Sequence, residues 1–278
     1  MKKTKNIKEL NKISAKIRKD ILISINAAGS GHTGGSLGLA DIFTVLYFNV
    51  MNHDAKNPKW KDRDRLVLSI GHVAPVHYAT LARAGYFPLE ELKTLRKLGS
   101  RLQGHPGKDH GLPGLELSSG SLGQGLSIAV GMALSAKIDK KDWQIFSIHG
   151  DGELQEGSIW EAAMSASHHK LDNITAIVDR NHVQIDGKTS DIMELEFLDE
   201  KWKSFGWNVL KCDGHNHEEL ISVLIEAKKY KGKPSVIIAE TIMGKGVKSI
   251  ENNYKWHGRA PSDEELKDFI LQLEEQGK

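Results

Sequence analysis

Gly150-Asp151-Gly152, followed thirty residues later by Asn181, is the part of the chain whose residue types and spacing point most directly to chemistry. The apolar run over residues 143–149 reads as a buried strand, which leaves Asp151 at its carboxyl end. In open parallel sheets ligands bind at that end. Glycines on both sides let the backbone come near an anion. A helix expected from Glu156 to His168 would turn its positive end to the same place. The next apolar run, 173–179, leads into Asp179-Arg180-Asn181-His182-Val183, so neighbouring parallel strands would deliver Asp151 and Asn181 to one sheet edge. A carboxylate, an amide oxygen and a backbone carbonyl are hard ligands suited to Mg²⁺ or Ca²⁺. Mg²⁺ keeps few protein ligands and completes its shell with phosphate oxygens and water, so the pattern predicts a metal-bridged diphosphate. Gly-Asp-Gly alone would read as a tight turn. Its flanking elements and Asn181 decide for a site.

Those elements recur along the chain. Short β-branched runs lie at 66–70, 144–149, 174–179, 208–213 and 235–240, and helical periodicity lies at 37–50, 124–138, 158–168 and 218–230. The alternation predicts an α/β fold, a mainly parallel sheet with helices on both faces. Ile7, Leu10, Ile13, Ile17 and Ile21 predict an amphipathic first helix. Ser262-Asp263-Glu264-Glu265 is a capping box opening a last one, and the chain ends with it. The expectation is one domain over residues 1–278. Residues 99–125 break the pattern with eight glycines, Pro106 and Pro113, which marks a long functional loop. After it, Gly125, Ala129, Gly131, Ala133 and Ala136 would let a helix pack very close to its neighbours.

The motif and Asn181 resemble the thiamin diphosphate signature, and further matches point to the transketolases. Gly31-His32-Thr33-Gly34 is similar to the family's Gly-His-Pro-Gly, with Thr33 in place of proline. Ser69-Ile70-Gly71-His72 resembles its next histidine loop. Gln103-Gly104-His105-Pro106, Gly120-Ser121-Leu122-Gly123-Gln124-Gly125 and Trp256-His257-Gly258 follow in family order. The resemblance is confined to the family's N-terminal, diphosphate-binding domain. It implies a thiamin diphosphate-binding fold and the N-terminal subunit of a split transketolase, inactive alone. The partner subunit would supply the pyrimidine-binding and C-terminal domains, two copies of each chain would assemble, and sugar phosphates would be substrates.

The resemblance also implies roles. Asp151 and Asn181 would bind Mg²⁺ by side chain and Val183 by its carbonyl, with Ca²⁺ able to substitute. Gly152 and His72 would contact the diphosphate, and Gly120, Ser121 and Leu122 would line the cofactor. His32, His105 and His257 would face the donor sugar, His257 also reaching the diphosphate. Glu156 matches a family glutamate near the subunit interface. Imidazoles suit this work because they titrate near neutral pH and can exchange protons with sugar hydroxyls at modest cost. His53, His168, His169, His215 and His217 lack flanking glycines and read as structural.

Other readings are weaker. Gly29-Ser30-Gly31-His32-Thr33-Gly34 fits G-x-G-x-x-G but follows a helical segment where a dinucleotide site needs a strand. Gly244-Lys245-Gly246 lacks P-loop spacing, and position 221 is Ile rather than the second histidine of a zinc-protease motif. A deoxyxylulose-phosphate synthase would share the architecture but fits the His105 and His257 motifs less well. A non-catalytic cofactor-binding module is disfavoured because each matched position keeps its chemistry. With 38 Lys+Arg against 36 Asp+Glu, no global field draws nucleic acid or an anionic membrane. No apolar run reaches the roughly 18 residues that cross a bilayer. One cysteine, Cys212, excludes an intrachain disulfide, and a reducing, cytoplasmic compartment is expected.

Overall fold

Each β-branched run becomes a strand in a computed structural model of the chain, which describes residues 3–276. β1 (Arg65–Leu68), β2 (Ile145–Gly150) and β3 (Ile174–Arg180) precede a short antiparallel pair, β4 (Val183–Gln184) and β5 (Gly187–Lys188). β6 (Asn208–Asp213) and β7 (Ser235–Glu240) follow. The five longer strands form one all-parallel sheet in the order β1-β2-β3-β7-β6. Burial of both faces explains the near-continuous apolar runs. Phe146 and Ile148 of β2 enter one hydrophobic cluster, whereas Ile145 enters the other. Residues 1–2 and 277–278 of the single domain expected over 1–278 lie outside the described residues.

The first cluster is built with α1 (Ile7–Ala28), α2 (Thr33–Gly38), α3 (Ala40–Val45) and α4 (Ala74–Arg83). The second takes α5 (Gly125–Ile138) and α6 (Gly157–His168). α7 (Thr189–Ile192) is a single turn, and α8 (Leu198–Ser204) plants Trp202 in the second cluster. α9 (His217–Lys229) and α10 (Asp263–Gln276) return to the first. Helices thus cover both sheet faces. Local chemistry sets several ends. The Asn6 side chain accepts from the Lys8 and Glu9 backbone N–H groups, and Gly29 closes α1 at φ 68°. The expected capping box forms reciprocally: Glu265 N–H donates to Ser262 Oγ at 3.2 Å and Ser262 N–H to Glu265 Oε2 at 2.9 Å.

Two expectations change. The helix read over 37–50 is three pieces: α2 starts earlier, α3 follows, and Leu46–Val50 is a π turn. Packing overrides propensity here. A Cβ on Gly34 would lie 2.7 Å from Met243 Cγ and one on Gly38 3.0 Å from the Ile242 carbonyl. Gly131 does not support close packing of α5. It faces outward, with nothing within 4 Å of where its Cβ would be. Ala129, Ala133 and Ala136 do pack inward.

His77 is a buried imidazole bonded through Nε2 to Tyr47 Oη at 2.8 Å. Burial pushes its pKa down from 6.5 to about 3. The folded state therefore refuses a proton that the unfolded chain takes up below pH 6.5. Its stabilisation is intact above pH 6.5 and declines until about pH 3, at about 1.4 kcal/mol per unit. Urea unfolding is expected to show a loss of about 2 kcal/mol between pH 7 and pH 5 from this group, reduced in His77→Gln. An equal slope in the variant would contradict this. Among the described residues no helix is long and apolar enough to cross a membrane.

Candidate functional site

The carboxyl ends of β1, β2 and β3 lie side by side. Gly150 of β2 pairs with Asp179 of β3, and Asp151 N–H donates to the Asp179 carbonyl at 3.2 Å. Asp151 is almost fully buried at this edge. Its Oδ1 accepts from Gly152 N–H at 2.8 Å, and its Oδ2 accepts from His182 N–H at 2.7 Å and Arg180 Nη1 at 3.1 Å. Burial raises its pKa, against the pull of Arg180 and these hydrogen bonds. The Asn181 Oδ1 accepts from Val183 N–H at 2.9 Å, while its Nδ2 donates to Asp179 Oδ2 at 2.9 Å. Burial, reinforced by the Asp151 charge, pushes Asp179 up to about 7, while bonds from Thr241 and Asn181 oppose it.

Asp151 and Asn181 therefore lie at one sheet edge, both bonded to Asp179. A carboxylate offers about four lone pairs, and three of those on Asp151 are engaged, which leaves one on Oδ1. Asn181 Oδ1 likewise keeps one. Mg²⁺ takes few protein oxygen donors and completes its shell with phosphate and water, so the one free lone pair on each of these side chains fits a bridged diphosphate. The helix after Asp151 starts at Gly157 rather than Glu156. A 3-10 turn, Gly152–Gln155, intervenes, and Glu156 is the exposed residue immediately before α6.

Four histidines converge from four separate segments. His32 immediately precedes α2, and His72 sits in a 3-10 turn between β1 and α4. His105 lies in the glycine-rich loop and His257 follows the 3-10 turn Tyr254–Trp256. Ring centroids of His32 lie 4.9 Å from His72, 5.6 Å from His257 and 6.5 Å from His105, and His72 is 5.4 Å from His257. Close approach of backbones brings the loops together. A Cβ on Gly71 would lie 2.8 Å from Gly120 N, and one on Gly120 would lie 3.3 Å from the His105 ring. Burial first, then the neighbouring histidines, lowers His72 to about 3. Burial, His257, Arg96 and His105 lower His32 to about 4. Burial lowers His105, with Arg96 adding, and burial lowers His257. The cluster is thus uncharged at neutral pH, and His32 Nδ1 is buried without a protein partner. Such imidazoles can exchange hydrogen bonds and protons with a bound hydroxyl-rich molecule. Beside them an opening of about 250 Å³ runs along residues 117–121, Gln124, Gly125 and Ile128, with Gly120 and Ser121 on its wall. Leu122 is half-buried and packs on the core.

Of the residues read as structural, His168 and His169 are exposed at the end of α6, and the other three are held by internal contacts. His53 bonds Tyr86 Oη and the Tyr47 carbonyl, and His215 and His217 surround Asp41. The G-x-G-x-x-G segment follows α1, a helix, which removes the dinucleotide reading. Sequence reasoning missed Arg180, Asp179, Glu153 and Arg96. Arg180 is buried and also bonds Thr189 Oγ1 and Glu196 Oε1. Arg96 reaches Ser30 Oγ at 3.3 Å, and Gly104 leaves room for its guanidinium, since a Cβ there would meet Nε at 2.7 Å. A charged residue inside a strand-end motif was the available signal for Arg180.

Fold and site define an α/β domain that presents oxygen donors and neutral imidazoles at the carboxyl edge of a parallel sheet. Residues 10–274 match the family described as transketolase, thiamine diphosphate binding domain. The chain is 46% identical to a 6-deoxy-6-sulfo-D-fructose transketolase subunit of Clostridium sp. (strain MSTE9), over 94% of each chain. It is 41% identical to an apulose-4-phosphate transketolase subunit of Phocaeicola vulgatus, over 94% of this chain and 92% of that one. The solved structure of transketolase from Leishmania mexicana superposes with a TM-score of 0.89 at 34% identity, covering 95% of this chain. The chain belongs to the transketolase family, as its thiamin diphosphate-binding domain. It spans 41% of the length of the Leishmania chain.

Proposed function

We propose that the chain is the N-terminal subunit of a two-chain transketolase, which with its partner moves a two-carbon ketol unit from a ketose to an aldose. The observation that carries this reading is the convergence of four uncharged histidines beside the Asp151 edge. Asp151 and Asn181 hold Mg²⁺ by side chain and Val183 by its carbonyl. Gly152 and His72 bind the diphosphate, and Gly120, Ser121 and Leu122 line the ring end. When bound, thiamin diphosphate supplies an electron sink for the charge left as the ketose carbon–carbon bond breaks. His32, His105 and His257 orient the sugar hydroxyls. A neutral imidazole accepts the hydroxyl proton released in cleavage and returns it in the reverse sense.

The reading includes a partner chain with pyrimidine-binding and C-terminal domains, in two copies of each chain. Relatives named as transketolase subunits support this. So does α5, which has no charged side chain over residues 125–136 although Ser127, Ile128, Gly131 and Ser135 are exposed. Met164 on the adjoining α6 is 56% exposed. A helical stretch without charge on any side, carrying an exposed isoleucine, belongs under cover. Sugar phosphates, or a sulfonated or branched sugar, are the substrate classes, and the setting is cytoplasmic. His105→Ala in the assembled enzyme is expected to lower ketol-transfer turnover by about 100-fold with thiamin diphosphate still bound. Unchanged turnover would remove its substrate role, and pyruvate serving as donor would favour a synthase instead.

A further inference from the structure

Glu153 takes no part in the chemistry above, yet it is 2% exposed and every oxygen is engaged. Its Oε1 accepts from Gly123 N–H at 2.8 Å and from the Ser69 hydroxyl, while Oε2 meets His149 Nδ1 at 3.0 Å. Ser69 Oγ in turn accepts from Gly125 N–H at 3.1 Å. Contact at Gly125 is forced, because a Cβ there would lie 2.4 Å from Ser69 Cβ. Gly123 turns in the left-handed region at φ 80°, which glycine adopts without strain. Gly123 in the glycine loop and Gly125 where the loop enters α5 are therefore fastened by their backbone N–H groups, one directly and one through Ser69, to a single buried carboxylate. An apolar side chain would fill the same volume without directing either bond. A buried carboxylate is tolerated only when its oxygens find donors, as they do here.

We propose that Glu153 is a positioning residue, a buried latch that holds the glycine loop over residues 120–125 against the sheet edge and so preorganises its backbone for thiamin diphosphate. The inference rests on the reading that this loop lines the cofactor. His149 is fully buried, and its Nε2 has no protein partner. That free nitrogen separates two variants. In Glu153→Gln the imidazole can carry its proton on Nε2 and accept from the new amide at Nδ1, which preserves the loop-facing oxygen. Glu153→Ala removes every bond.

Backbone hydrogen exchange in the full chain without cofactor reads the latch directly. Glu153→Ala is expected to speed exchange at Gly123 and Gly125 by about tenfold or more, with the β3 amides still protected. Glu153→Gln should stay within about threefold of the parent. Ser69→Ala, a smaller change, should release Gly125 and leave Gly123 held. In the assembled enzyme Glu153→Ala should weaken thiamin diphosphate binding about tenfold or more, with kcat at saturating cofactor little changed and Glu153→Gln near the parent. Unchanged exchange at the two glycines, or equal acceleration throughout the sheet, would overturn the latch. A parent enzyme that binds no thiamin diphosphate would instead defeat the cofactor reading, and the exchange result would still decide whether Glu153 holds the loop.

Discussion

Replacing Asp151 by alanine is expected to weaken Mg²⁺-dependent thiamin diphosphate binding in the assembled enzyme by at least about 100-fold, with turnover falling below about 1%. Changing groups that merely support a metal ligand costs 10–100-fold, and Asp151 is the carboxylate expected to touch the ion. Its position is over-determined, since Gly152, Arg180 and His182 all donate to it from the ends of β2 and β3. The side chain therefore needs no reorganisation to accept a cation. Asp151→Asn keeps the shape and removes the charge, so it should retain the fold and lose most of the affinity. Equilibrium dialysis of thiamin diphosphate with and without Mg²⁺ checks both variants. Affinity within about threefold of the parent in Asp151→Ala would remove the residue from the metal site.

The largest expected effect on stability comes from Asp41→Ala. Asp41 is buried on α3 and receives Arg18 Nη1 from α1 at 3.1 Å, a second Arg18 bond, and His215 Nδ1 at 2.8 Å, and His217 Nε2 lies 3.3 Å away. Burial alone would raise its pKa, but the Arg18 charge and bonds from His215, His217 and Arg18 hold it well below the usual carboxylate range. Removing it leaves the Arg18 guanidinium buried without its counter-charge, which typically costs about 3–5 kcal/mol. The consequence reaches the site, because His215 Nε2 accepts from Ile242 N–H at 2.8 Å at the start of the segment that carries His257. Urea unfolding of the full chain measures the loss. A change below about 1 kcal/mol would show that the cluster does not hold these elements together.

What could be read from the amino acids follows physical range. β6 and β7 match their runs residue for residue: β7 is buried and apolar along nearly its whole length, and β6, at the sheet edge, is marked by Val209 and Leu210 although Lys211 and Asp213 are exposed. The capping box over Ser262 and Glu265 is equally local. The histidines were legible singly, through their flanking glycines, whereas their mutual distances depend on four loops folding together. Arg180 could be suspected only as a charge in a strand-end motif, without its partner, and Glu153 was not legible at all. The Asp151 contact with Arg180 exists through the register that sets Gly150 opposite Asp179. Glu153 faces Ser69 and Gly123 across 84 and 30 residues of sequence. α2 escaped notice for a related reason, since glycines that weaken a helix in isolation are here required by contact with Met243 and Ile242.

In the reading proposed above, this domain works as one half of a two-chain enzyme. Purification of the intact protein from its own source, followed by mass spectrometry of what remains bound and a ketol-transfer assay, tests it most directly. The expected result is a near-stoichiometric second chain with transketolase pyrimidine-binding and C-terminal domains, bound thiamin diphosphate, and activity that follows the complex and vanishes from the separated chain. A chain that transfers the ketol unit alone, or a purified assembly holding neither partner nor cofactor and devoid of ketol transfer, would contradict it.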